Sequence, residues 1–228
     1  MTRRVGVVLF PGSNCEQDML EAVALVGGEP EVLWHGDATI NGVDAVVVPG
    51  GFAHGDYLRP GAIARFSPVM SAVAEFAAAG GPVVGVCNGF QVLTEAGLLP
   101  GALQKNRGLK FLCATVPLRV ESTDSVLTRL AEPGAVLRVP VNHFEGNYTC
   151  DDETLARLRD EDRIVLRYVE NPNGSIDDIA GICNERRNVV GLMPHPERAC
   201  NELLGSTDGR ILLSSLLAAA GAELTPAT

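Results

Sequence analysis

The chain has 228 residues, of which 46% are hydrophobic and 20% charged, and its 18 basic and 28 acidic side chains leave a formal charge of −10. That balance excludes a grip on nucleic acid through a basic face and docking on an anionic membrane. Six cysteines without a CxxC pair exclude both a dense disulfide framework and a tightly spaced zinc site.

Val5 to Phe10 reads as a buried first strand, ended by Pro11-Gly12 and too short for a signal-peptide core. No apolar run approaches the ~18 residues of a spanning helix, so a reducing cytosol is expected. Ser13 to Glu16 (SNCE) has the form of a capping box and predicts a helix to about Val26. Strands are expected at Glu31 to Trp34 and Ala45 to Val48, the second ending in Pro49-Gly50-Gly51. One alanine-rich helix is expected from Ala62 to Ala79, then a strand at Pro82 to Val86 and a helix at Gly89 to Ala96. Alternating apolar strands and helices imply an α/β fold, a mostly parallel open sheet covered by helices on both faces.

The C-terminal half is richer in strands. Candidates are Leu112 to Val120, Val136 to Val141, Ile164 to Val169, Ile179 to Cys183 and Val189 to Met193, with helices at Asp152 to Leu158 and Arg210 to Ala220. NPNGS (Asn171 to Ser175) and NERRN (Asn184 to Asn188) read as turns. Without a repeat, a low-complexity tract or a linker, residues 1–228 are expected to form one domain.

The segment Pro82 to Gln91, PVVGVCNGFQ, carries the clearest chemistry. A strand runs into Cys87 and a helix begins just beyond it, with Gly85 and Gly89 two residues to either side. This is the nucleophile-elbow pattern with cysteine for serine. An ordinary thiol, with pKa about 8.5, is only a few per cent ionised at neutral pH, and a helix N-terminus favours the thiolate. The other five cysteines lack this context and read as core or surface residues.

A base for Cys87 is expected among His35, His54, His143 and His195. His195, in GLMPHPE, follows a strand, and Glu197 two residues on could hold its imidazole in one tautomer. His143, in PVNHFEGNY, also follows a strand and has Glu145 two residues on, so it is a rival. A metal bound by a His–Glu pair is a further option, but no third or fourth ligand is suitably spaced. VVVPGGF (Val46 to Phe52) is either a plain βα turn or a loop whose N–H groups, with that of Asn88, form an oxyanion hole.

PGG, then GVCNGFQ, then HPE, in this order and spacing, resemble the class I glutamine amidotransferase family, whose domain is flavodoxin-like. FPGSNCEQD, GGFAHGDYLRPGAIA, PVNHFEGNY, ENPNGS, MPHPERA and LLGSTDG extend the resemblance over nearly the whole chain. Within that family they are most similar to the separate glutaminase subunits of phosphoribosylformylglycinamidine synthases of purine biosynthesis.

The resemblance implies a catalytic triad of Cys87, His195 and Glu197, an oxyanion hole from Gly51 and Asn88, and Gln91 facing the glutamine. It implies no cofactor and no metal in this chain, with ATP and Mg2+ used by a large synthetase partner. That partner would receive the ammonia and aminate formylglycinamide ribonucleotide, with a small bridging subunit between the two. No nucleic-acid or membrane partner is implied, and the location is cytoplasmic. Ala53-His54 and Arg187 depart from the family pattern, the latter at a turn position where glycine is expected. The competing readings are a class I glutaminase serving a different synthetase, a stand-alone cysteine hydrolase, and a silent binding subunit.

Overall fold

The computed structural model describes residues 2–221; Met1 and residues 222–228, the ends of the single domain expected over 1–228, lie outside the described residues. One nine-stranded sheet runs through both halves of the chain. Its order is β2-β1-β3-β4-β11-β10-β9-β6-β7. The strands are β1 (Arg4–Leu9), β2 (Glu29–Trp34), β3 (Ala45–Val48), β4 (Val83–Val86), β6 (Leu112–Val120), β7 (Val136–His143), β9 (Ile164–Tyr168), β10 (Ile179–Cys183) and β11 (Val189–Leu192). The first five in that order pair in parallel, and the remaining four extend the sheet by antiparallel pairing. β3, β4 and β11 are buried along their whole length, as unbroken valine-rich runs at the centre of a covered sheet should be. A short pair, β5 (Ala102–Gln104) with β8 (Asn147–Thr149), lies outside the large sheet and was not anticipated from the sequence.

The helices are α1 (Glu16–Leu25), α2 (Pro68–Ala78), α3 (Asn88–Glu95), α4 (Asp152–Asp160) and α5 (Gly209–Ala219). α1 joins β1 to β2 and α2 joins β3 to β4, and these two steps run in opposite directions across the sheet. Right-handed crossovers therefore put α1 and α2 on opposite faces. The reversal between β1 and β3 is the topological switch point, where a crevice opens beyond the strands' carboxyl ends. There Ser13 and Gly51 meet in an isolated antiparallel bridge.

Two local expectations are corrected. The SNCE capping box does not form. The Ser13 hydroxyl instead accepts from the Phe10 N–H (3.1 Å), and α1 starts at Glu16 behind Cys15 without a side-chain cap. The single helix expected over 62–79 is two pieces, a 3₁₀ turn (Ala64–Phe66) and α2. The break is Ser67, extended at φ −64°, ψ 139°, because a residue before proline is pushed out of the helical region. The two expected turns are present and held by asparagines. The Asn171 carboxamide oxygen accepts from the N–H groups of Asn173 and Gly174, and that of Asn184 from those of Asn188 and Val189.

Arg187 sits at φ 61°, the left-handed region that favours glycine. Its guanidinium offsets that strain by donating to the carbonyls of Asp124, Glu161 and Asp162 and pairing with the Asp124 carboxylate. His54 is likewise occupied: Ser67 Oγ lies 3.3 Å from both His54 Nε2 and His35 Nδ1, and the two rings stand edge to face.

Candidate active site

Cys87 occupies the sharp corner between β4 and α3, at φ 52°, ψ −107°. A side chain held in that region stores strain, which the packing around it must impose. Two glycines make the corner possible. A β-carbon on Gly89 would lie 1.8 Å from the Val48 carbonyl oxygen, and one on Gly85 would lie 2.7 Å from the Gly89 backbone. α3 can thus sit almost on the backbone of β3 and β4. The Cys87 N–H donates to the Leu192 carbonyl (2.8 Å), fastening the elbow to β11.

That strand brings in the histidine. β4 and β11 are hydrogen-bonded neighbours with Val86 opposite Leu192, so their carboxyl ends lie side by side. Cys87 follows one end and His195 the other. The His195 N–H donates to the Pro140 carbonyl (2.8 Å), and a 3₁₀ turn, Pro196–Ala199, folds Glu197 back so that its Oε1 lies 2.6 Å from His195 Nδ1. Both side chains are buried. With Nδ1 engaged, His195 Nε2 is left without a partner. Burial is the largest influence on the imidazole and opposes its charge. The neighbouring Glu197, Cys87 and Cys15 together outweigh it and hold the pKa well above the ordinary histidine value.

A cavity of about 290 Å³ opens over these groups, near the lower end for small-molecule sites. Cys87, His195, Gly51, Gln91 and His143 all line it. Gly51 has φ 143°, and a β-carbon there would lie 2.8 Å from Asn14 N, so only glycine fits. The bonds flanking its bridge to Ser13 run from Phe52 N–H to Gly12 O and from Cys15 N–H to Gly50 O, and do not use the Gly51 N–H. The Asn88 N–H opens α3, where helix geometry leaves it without an intrahelical partner.

Asn88 and Gln91 turn out to brace the site. Asn88 Oδ1 accepts from the Ala53 N–H (3.0 Å), and its Nδ2 donates to Asp56 Oδ1 (3.0 Å) and Gln91 Oε1 (2.9 Å). Gln91 Nε2 in turn donates to the Glu145 carbonyl (2.5 Å). The Gln91 side chain, expected to face substrate, is thus engaged at both ends in a frame that ties the Gly51 loop to α3 and to the segment after β7.

Several lining residues escaped the sequence reading. Cys15, taken as one of five background cysteines, lies on the cavity wall, and Arg198 Nη2 donates to its sulfur (3.2 Å). It also supplies the third ligand that spacing alone did not offer: donor atoms of Cys15, His195 and Glu197 lie within 4.8 Å of one another. His195 Nδ1 and Glu197 Oε1 already bond each other, and the Cys15 sulfur already accepts from the Arg198 guanidinium. Asp56 and Glu145 are two acidic residues of the cavity wall. Burial, offset in part by Asn88 and reinforced by Glu145, raises the Asp56 pKa to about 6. The GDYLR and HFEG motifs held both residues, but nothing in their spacing said that they face one cavity.

Residues 2–210 match the family model described as a CobB/CobQ-like glutamine amidotransferase domain. The "Phosphoribosylformylglycinamidine synthase subunit PurQ" of Rubrobacter xylanophilus is 63% identical over 95% of this chain and 99% of its own length. The protein of the same name from Koribacter versatilis is 56% identical over 95% of this chain and 98% of its own. Among solved structures, a chain of PurLQS from Thermotoga maritima superposes with a TM-score of 0.88 at 43% identity, covering 96% of this chain and 99% of that one. The arrangement of elbow, histidine and glutamate and this likeness along the whole length lead to one conclusion: the chain belongs to the CobB/CobQ-like glutamine amidotransferase family and, within it, to the PurQ subunits of phosphoribosylformylglycinamidine synthase.

Proposed function

We propose that the chain hydrolyses glutamine to glutamate and ammonia and hands the ammonia to a synthetase that makes formylglycinamidine ribonucleotide. The observation that carries the chemistry is the pairing of a strained Cys87 elbow with His195 on the adjacent strand, oriented by Glu197 at 2.6 Å. The Cys87 thiolate attacks the carboxamide carbon, and the resulting oxyanion is held by the N–H groups of Gly51 and Asn88. His195 gives its proton to the nitrogen as the C–N bond breaks, releasing ammonia and leaving a glutamyl thioester. The same imidazole then takes a proton from water, which attacks the thioester. Glutamate departs and the thiolate beside protonated His195 is restored. The carboxylates of Asp56 and Glu145 suit the α-ammonium group of the substrate.

In this reading the partner is a large synthetase subunit, which uses the ATP and Mg2+; a small bridging subunit joins the two, and the assembly works in the cytoplasm. No described helix is long and apolar enough to cross a membrane. The test is Cys87→Ala in the reconstituted complex. Glutamine-dependent synthesis should vanish while ammonium-dependent synthesis persists. Retention of the glutamine-dependent reaction would overturn the assignment.

A further inference from the structure

The cavity contains a second buried histidine that the triad does not use. His143 ends β7, is 3% exposed and lines the same cavity as Cys87 and His195. The backbone oxygen of its neighbour Asn142 lies 3.8 Å from the Cys87 sulfur, so this strand end borders the reacting atom. Its ring orientation and tautomer are set by Asn106. Asn106 Nδ2 donates to the carbonyls of Lys110 and His143, both at 2.9 Å, which fixes the amide the right way round. Asn106 Oδ1 is then an acceptor and takes the Gly146 N–H (3.1 Å). His143 Nδ1, 3.1 Å from that same oxygen, must therefore be the protonated nitrogen. Its Nε2 is left as a bare lone pair, buried and without a partner.

Burial, and then the charge of nearby His195, lower the His143 pKa to about 4, so the ring is neutral at physiological pH. A neutral ring locked this way can only accept at Nε2. Such an acceptor on a residue that lines the nucleophile's cavity distinguishes two groups of nearly equal shape. A carboxamide nitrogen offers it two N–H donors, whereas a carboxylate offers only oxygen lone pairs.

We propose that His143 is the residue by which the site tells glutamine from glutamate, its Nε2 accepting a hydrogen bond from the substrate's carboxamide nitrogen. This rests on the glutaminase reading above and gives that reading its amide selectivity. The contact turns the carboxamide so that its nitrogen lies toward His143 and its oxygen is free for the Gly51 and Asn88 N–H groups. After hydrolysis the same lone pair faces a carboxylate oxygen, which weakens the hold on the product. A site built around one such polar contact rejects the analogue lacking it, because its own buried group is left unpaired.

The test is calorimetric binding of glutamine and of glutamate to the full-length Cys87→Ala protein, which binds without turnover, and to the same protein carrying His143→Ala or His143→Gln. Cys87→Ala should bind glutamine in clear preference to glutamate. Adding His143→Ala should weaken glutamine by about tenfold while glutamate stays level or tightens. Adding His143→Gln, whose amide can both accept and donate, should keep most of the glutamine affinity and tighten glutamate. In both cases the preference ratio falls about tenfold. A merely structural role for His143 would weaken both ligands alike and leave the ratio within twofold of Cys87→Ala, overturning the proposal. If Cys87→Ala binds neither amino acid, the glutaminase reading fails and takes this one with it. Wild-type hydrolysis of glutamine with an unchanged ratio in the variants removes His143 alone.

Discussion

Glu197 Oε1 and His195 Nδ1 lie 2.6 Å apart, in a pocket so closed that the two residues are 3% and 1% exposed. In so buried a setting this bond decides which imidazole nitrogen carries the proton. Glu197→Gln keeps the shape but offers either a neutral oxygen or an N–H donor at that point. Turnover of glutamine is expected to fall by about 10²–10⁴, with KM changed far less, and His195→Ala should lose at least as much. Steady-state glutamate release measures both. A loss under tenfold for Glu197→Gln would mean that the carboxylate does not orient the base.

The elbow's dependence on bare backbone is open to a stability measurement. Gly89→Ala puts a β-carbon 1.8 Å from the Val48 carbonyl oxygen, whereas one on Gly108 meets nothing within 4 Å. Gly89→Ala should cost about 1–3 kcal/mol or more in denaturant unfolding, since β3 and α3 cannot both stay in place. Gly108→Ala should fall within about 0.5 kcal/mol of wild type. Equal effects at the two positions would refute the close approach of α3 to β3.

Asp56 supplies a pH signature. Its folded pKa is raised to about 6, above the unfolded value near 3.8, so the folded state holds a proton that the unfolded chain has already released. Stability from this group is therefore full below pH 3.8 and declines as pH rises through 6. Asp56→Asn removes the ionisation and can still accept from Asn88 Nδ2. Its melting temperature should exceed wild type at pH 8 and converge with it near pH 4, which thermal scans across that range would show. The same change deletes the carboxylate proposed to meet the substrate's ammonium group, so KM for glutamine at pH 8 should rise. A stability gain without a KM change would remove Asp56 from substrate binding.

Control by the partner is expected at Gly51. Its φ of 143° and its place at the switch-point crevice let this peptide change orientation at a cost that no other residue could match. One oxyanion donor is worth about 10²–10³ in rate, so the lone chain should be slower than the complex by that order. Glutamate release at saturating glutamine, with and without synthetase and nucleotide, gives the ratio. Turnover of the lone chain within about threefold of the complex would exclude this gate.

Much of this protein was legible before any coordinates. The apolar runs at β1, β3, β4 and β11 announce buried parallel strands, and Gly-Val-Cys-Asn-Gly announces the elbow, because strand burial and a tight turn are local demands that a few consecutive residues must satisfy. What the sequence left open were matters of distance in space. His143 and His195 both follow a strand and both precede a glutamate by two residues. The tertiary structure separates them: the turn after His195 returns Glu197 to its ring, while the His143 ring is held by Asn106, from a different part of the chain. Cys15 and Asp56 looked ordinary for the same reason, since only the switch point between β1 and β3 brings their loops to the cavity. Local pattern determined the elements and the cysteine elbow; which histidine is paired with a glutamate and which polar groups line the cavity depended on strand order, which no short stretch of sequence encodes.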